Sequence, residues 1–358
     1  MDFPALSALI DDLVRGRLPW AEAAVCADGK AIYGYSAGFA DPENGIPYEK
    51  GSRGMYYSIT KIVTAACAMK LTEEGRLDPD AYIDEFLPEF GDLKTVSGES
   101  ARVTVRQLLA MSSGFSYDAK CFAGRNASAS LREALRPLSR VPLAFTPGTH
   151  WLYGFGMDVL GAVLEQVSGM PAAQLIREKL FAPFGITGPK FFHEGIDPTS
   201  IPPLFITAPD GYERIPLDTK PMPSPLAFSG GAGLTGNACD MARFLSLLSA
   251  GRIIGEETLD LMTRDTFTPI SRADCFWPSL RGYGYGLGVR TLTDAASSPS
   301  PTGEFGWGGQ TGSYALCDRK RRLGFCFMTH VVGQSETDLF KLLRGALYED
   351  LNGNGNRR

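Results

Sequence analysis

The chain has 358 residues, 44% of them hydrophobic and 21% charged, with a formal net charge of −5. That is the balance of a globular protein with a large core, arranged as two lobes or one elaborate domain. The charges are well mixed, with no long basic stretch and no apolar run of bilayer length, so neither nucleic acid nor membrane is an expected partner.

In chain order, Leu6, Leu9, Ile10, Leu13 and Val14 recur at helical spacing and predict an amphipathic helix. Residues 21–26 and 30–36 read as two strands about Asp28-Gly29, a strong hairpin signal. Within the second strand lies Gly34-Tyr35-Ser36-Ala37-Gly38, the G-x-S-x-G string of a nucleophile elbow. An elbow needs a helix directly after its serine, and residues 39–45 form a turn instead, so Ser36 is set aside.

Ser58-Ile59-Thr60-Lys61 follows, an S-x-x-K at the head of a buried-looking helix that ends near Gly75. Residues three apart share a helix face, so the Lys61 ammonium falls beside the Ser58 hydroxyl. A serine needs such an activator to become a nucleophile, and a helix N-terminus favours the negative charge that develops. Alone, the four-residue pattern reads first as an N-cap serine followed by a surface lysine. The rest of the chain has to decide.

Residues 80–229 read as helical and loop-rich, with a helix over 158–169 and a proline-dense irregular connection over 198–229. Strand character returns at 283–290, 312–318 and 323–331, with a charged turn over 318–322 and a closing helix over 337–347. The expected fold class is α/β (α+β). An antiparallel sheet from residues 1–70 and 230–350 is flanked by helices and carries an inserted, mainly helical domain over 71–229. Residues 351–358 read as a disordered tail. Seven cysteines without a C-x-x-C, and an N-terminus without a secretory pattern, lead to an expectation of reduced thiols and a cytoplasmic location. His150, His193 and His330 are far apart in sequence, so no metal or cofactor is expected, and His150 and His330 are treated as structural.

Five segments, in order, carry a resemblance over about residues 20–345. They are Tyr57-Ser-Ile-Thr-Lys61, Leu108-Leu-Ala-Met-Ser-Ser-Gly114, the tyrosine box around Tyr153-Gly154-Phe155, Ser229-Gly-Gly-Ala-Gly233, and Trp307-Gly308-Gly309. Together they resemble the β-lactamase-related serine hydrolases: class C β-lactamases, D-Ala-D-Ala carboxypeptidases and, most closely, family VIII carboxylesterases. The resemblance implies a β-lactamase/transpeptidase-like fold and Ser58 as the nucleophile. Lys61, its pKa lowered by burial, would accept or relay the serine proton. Tyr153 would act as general acid/base, with the lysine cation favouring its phenolate. The backbone N–H groups of Ser58 and Gln310 would form the oxyanion hole. Gly308 and Gly309 would let backbone approach the substrate, with Trp307 and Phe155 lining the pocket.

Two departures from the family pattern bear on substrate. Phe155 stands where lactamases usually have an asparagine amide, and Trp307 stands where lactamases and peptidases have Lys or His. Both changes favour a neutral small-molecule ester of short to medium chain. Lactam, D-alanyl peptide or D-amino amide hydrolysis and acyl transfer remain as alternatives, with a non-catalytic binding protein behind them. The loop at Arg281 is a candidate source of a replacement charge. Oligomeric state is left open.

Overall fold

In the computed structural model, residues 2–117, 130–216, 228–275 and 277–353 are described. Helix α1 (Pro4–Val14) leads into strands β1 (Trp20–Ala27), β2 (Lys30–Asp41) and β3 (Ile46–Pro47). The central helix α2 (Thr60–Glu73) follows, then α3 (Gly156–Ser168), α4 (Ala238–Ser249) and α5 (Pro269–Asp274). Strands β4 (Tyr283–Tyr285), β5 (Arg290–Leu292), β6 (Phe305–Gly308), β7 (Tyr314–Asp318) and β8 (Leu323–Met328) precede α6 (Leu339–Gly353).

The eight strands form one sheet in the order β3-β2-β1-β8-β7-β6-β5-β4, with every neighbouring pair antiparallel. The first and last parts of the chain meet where β1 pairs with β8, from Glu22 opposite Met328 to Ala27 opposite Leu323. Alternation along β1 sends Ala21, Ala23 and Val25 to one face, against Leu6, Ile10, Leu13, Leu339 and Leu343 of α1 and α6. Trp20, Ala24 and Cys26 face the other layer with Met241 and Leu245 of α4. Both faces are covered, which is why β1 is buried almost throughout. The carboxylate of Asp350 in α6 accepts from Ala5 N–H (3.1 Å) and Leu6 N–H (2.9 Å), so the last helix satisfies open donors at the start of the first.

Helix α2 is buried on every side, with eleven of its fourteen residues out of solvent. It is the shared axis between the sheet layer and the helices that follow. The turn at Asp28 (φ +47°) and Gly29 (φ +77°) makes the predicted hairpin, and Gly75 (φ +68°) ends α2 as expected.

Three expectations need correction. The strand expected over 283–290 is two strands, because Gly286–Gly288 turns the chain and Gly288 takes φ +82°. The Pro-rich stretch contains a regular hairpin, Phe205–Ala208 with Gly211–Arg214, which pairs with Val331–Val332. Residues 217–227 of that stretch lie outside the described residues. Finally, α6 runs to Gly353, past the expected start of the tail, while 354–358 lie outside the described residues. Among the described residues no single helix is long and apolar enough to cross a membrane.

Candidate active site

Ser58 lies in a single tight turn, Tyr57–Ile59, that runs straight into α2. Tyr57 adopts φ +49°, an unusual conformation for a residue with a bulky side chain, directly before the serine. The turn is braced from behind. Ser313 Oγ donates to Tyr56 O (3.1 Å), and Met55 N–H donates to His330 Nε2 (2.9 Å). Burial pushes the His330 imidazole down to about 4, so it stays neutral and keeps Nε2 as an acceptor.

Lys61 is fully buried, and its Nζ donates to Ser58 Oγ (3.1 Å) and to the Gly231 carbonyl (2.8 Å). The glycine-rich segment therefore runs along the first turns of α2, where Thr64 Oγ1 also donates to Gly230 O and Thr60 Oγ1 accepts from Leu234 N–H. A Cβ on Gly231 would sit 3.0 Å from Asp158 Oδ2 and 3.4 Å from Lys61 Nζ, so glycine is what fits this floor.

The Tyr153 ring lies beside the same ammonium, its centroid 4.4 Å from Lys61 Nζ. Its loop is pinned by Leu152 N–H donating to Met111 O and by Gly154 packing on the Phe115 carbonyl. The Trp307 indole N–H donates to the Tyr153 hydroxyl (2.9 Å). Trp307 is thus a buried partner of Tyr153.

Burial acts to lower the Lys61 pKa, as expected, but the facing Tyr117 and Tyr153 oxygens favour the ammonium and outweigh it, so its pKa is held above the ordinary lysine value. Tyr117 is itself raised, by burial of its hydroxyl end, although Lys61 pulls the other way. The residue is 42% exposed as a whole, while its hydroxyl faces Lys61, so it spans from solvent to the site floor.

The remaining expected residues divide. Gln310 tops an exposed turn closed by Gly312 N–H donating to Gly309 O, and Gly309 packs against Tyr56 O and Tyr57 Cβ, next to Ser58. A Cβ on Gly308 would meet the Phe340 ring at 2.4 Å, so glycine there makes room for α6. Phe155 caps the start of α3 and meets the Tyr117 ring edge-on at 4.6 Å. Arg281 is exposed at the end of its turn, and the residue of that segment that reaches Tyr153 is Trp277, at 5.2 Å between rings. Ser36 lies mid-strand in β2, opposite Glu22, with no helix after it. His150 faces Asp274 at 3.1 Å.

Sequence reasoning missed Tyr117, Trp277 and the buried Asp158. Tyr117 sits three residues beyond Gly114 of the second segment, and Trp277 lies in a loop, Cys275-Phe-Trp-Pro-Ser-Leu280, without strand periodicity. An aromatic residue in such a loop was the available signal. Among the described residues, no group of three or more His, Cys, Asp or Glu side chains is placed to hold a metal ion.

The chain is 31% identical to the esterase EstB of Burkholderia gladioli, over 96% of this chain and 94% of EstB. It is 28% identical to a putative D-alanyl-D-alanine carboxypeptidase of Escherichia coli K12, over 75% of this chain and 67% of that protein. Its fold matches that of EstCE1, described as a hydrolase with promiscuous acyltransferase activity, with a TM-score of 0.84 at 24% identity, covering 96% of this chain and 98% of EstCE1. The Beta-lactamase family model matches residues 6–348, and with the serine, lysine and tyrosine segments gathered at the head of one buried helix, this chain belongs to the Beta-lactamase family.

Proposed function

We propose that the protein is a serine carboxylesterase of the family VIII kind, hydrolysing short- to medium-chain esters through an acyl-enzyme on Ser58. The name of EstB supports an esterase reading. The observation that carries it is the Trp307–Tyr153 hydrogen bond. Where a lactamase or peptidase needs a cation for the substrate carboxylate, this chain has a neutral indole whose N–H is already committed. A carboxylate brought against that wall would be desolvated without a partner, at a cost of several kcal/mol. A neutral ester carries no such cost.

Lys61 donates to Ser58 Oγ, which leaves the serine hydrogen free to go elsewhere. In this mechanism Tyr153 enters as the phenolate beside the Lys61 ammonium, and its oxygen takes that proton to become the phenol as the Ser58 Oγ–acyl carbon bond forms. Lys61 stays an ammonium and stabilises the negative charge around it, with the Trp307 N–H as a second support. The ester C–O bond then breaks, and Tyr153 returns the proton to the leaving alcohol. Water repeats the sequence in reverse and frees Ser58. The Ser58 and Gln310 N–H groups hold the oxyanion, a contribution of several kcal/mol.

The test is a fluorophosphonate probe with peptide mapping, together with kcat/KM for p-nitrophenyl butyrate, nitrocefin and a D-alanyl peptide. Expected are label on Ser58, loss of turnover in Ser58→Ala, and the ester faster than either amide by orders of magnitude. Label on Ser36, or a lactam or peptide turned over faster than the ester, would overturn the reading.

A further inference from the structure

Two large aromatic side chains beside the candidate nucleophile are left in solvent. Tyr117 is 42% exposed and Trp277 is 36% exposed. Both stand nearly perpendicular to the Tyr153 ring, Tyr117 at 5.6 Å and 75°, Trp277 at 5.2 Å and 71°. Behind them the aromatic layer continues into buried Trp307, at 6.0 Å from Trp277, and buried Trp151, at 5.5 Å. Trp277 is not a stray surface residue. Its segment leaves α5, whose Asp274 carboxylate accepts from Trp151 N–H (2.9 Å) and faces His150 Nδ1 (3.1 Å). The ring is held in place ahead of any ligand, which lowers the ordering cost of binding.

The position of Tyr153 says which part of a substrate meets these rings. This step rests on the esterase reading. If Tyr153 returns the proton, the leaving oxygen has to come within hydrogen-bond reach of its hydroxyl. The carbon group on that oxygen then lies against the rings packed around Tyr153. Edge-to-face and offset contacts favour a flat aromatic group there over a saturated one of equal size. A cationic alcohol is disfavoured, although aromatic rings attract cations. The Lys61 ammonium already stands 4.4 Å from the Tyr153 ring and 5.9 Å from the Tyr117 ring, so a second positive charge would meet repulsion.

The geometry points to an alcohol-side subsite, formed by Trp277 and Tyr117 across Tyr153, that selects esters of neutral arylmethyl alcohols. Trp277 is its specificity-determining residue.

The experiment compares benzyl butyrate, cyclohexylmethyl butyrate and butyrylcholine on wild type, Trp277→Leu and Trp277→Phe. The readout is the ratio of kcat/KM for the benzyl over the cyclohexylmethyl ester, normalised to its value in Trp277→Leu, which cancels the difference between the two leaving groups. Loss of the one Trp277 ring contact predicts a ratio about twofold to tenfold higher in wild type than in Trp277→Leu. The difference should lie mainly in KM, and Trp277→Phe should keep most of it. An unchanged ratio in Trp277→Leu, or butyrylcholine as the best of the three, would overturn the proposal. Binding of the two neutral esters to Ser58→Ala, with and without Trp277→Leu, measured by calorimetry, reads the subsite without turnover. Absence of fluorophosphonate label on Ser58 would therefore remove the esterase reading, while the same binding preference or its absence would still decide the subsite.

Discussion

Lys61 brings three N–H donors to the site. Ser58 Oγ and the Gly231 carbonyl take two, and the phenols of Tyr117 and Tyr153 face what remains. A lysine arranged in this way acts as a fixed cation. Lys61→Ala and Tyr153→Phe should each lower kcat by about two to four orders of magnitude, with the double variant far from additive, since the two groups act as one unit. Trp307→Phe keeps the ring and removes the donor, and should cost about tenfold or more on an ethyl ester, the range of a hydrogen bond to a charged oxygen. Steady-state kinetics on an unactivated ester are the right measurement, because a nitrophenolate leaves without needing a proton. An ethyl ester turned over at wild-type rate by Trp307→Phe would assign the indole to packing alone. At this scale the Ser58–Lys61 juxtaposition was legible, because helical spacing dictates it. The state of Lys61 was not, because burial and the two phenols oppose each other and only the geometry decides which wins. The direction of the Trp307 N–H was hidden for a similar reason: a sequence position does not say where an indole nitrogen points.

The nucleophile turn is held by an element far away in sequence. His330, just beyond β8, accepts from Met55 N–H at Nε2 and lies 3.0 Å from the Pro202 carbonyl at Nδ1, which fixes its tautomer as the Nδ1–H form. Its pKa is lowered from 6.5 to about 4, chiefly by burial. The unfolded chain takes up a proton at this histidine as pH falls through about 6.5, and the folded protein does not until about 4. Its neutral form therefore contributes stability above pH 6.5 that is lost between 6.5 and 4, at most roughly 3 kcal/mol, and below 4 the loss levels off. Urea unfolding at pH 7.5 and pH 5 should show a steeper decline in wild type than in His330→Gln, and equal declines would contradict this account. Element types were largely readable from period and turn chemistry: the Asp28-Gly29 hairpin, the helix after Ser58, and the glycine stop at Gly169 (φ +75°). The misses came where glycines interrupt an apolar run, at 286–288, and where polar residues conceal a helix end. In α6, Leu347 and Tyr348 remain buried and Asn352 accepts from Arg321, contacts that a local reading of Asn-Gly repeats does not reveal.

Across the molecule, a discontinuous sheet could be inferred because strand patterns occur at both ends of the sequence and helical ones between them. The pairing of β1 with β8 and the strand order could not, since periodicity carries no information on partners. Nor could the buried polar cluster beneath the C-terminal strands. Arg290 of β5 pairs with Glu304 ahead of β6 at 2.7 Å, with both side chains almost wholly buried. Glu304 also accepts from Tyr283 of β4, and Tyr314 of β7 joins Arg290 to Arg344 of α6. Removing one partner leaves a charge without compensation, so Glu304→Ala should destabilise the fold by about 3–5 kcal/mol in chemical denaturation, far more than an exposed charge such as Glu336→Ala.

The junction of β1 with β8 also governs when the enzyme comes into being. During synthesis the N-terminal hairpin and the Ser58 turn leave the ribosome early. Their sheet partner at residues 323–328, the brace at His330 and the Asp350 carboxylate that completes α1 come much later. The hairpin has to wait through the translation of nearly the whole chain with one edge open, a high-contact-order arrangement that folds slowly and exposes a pairing edge meanwhile. A nascent chain stopped before β8 would carry Ser58, Lys61 and Tyr153 and still lack the frame that sets their turn.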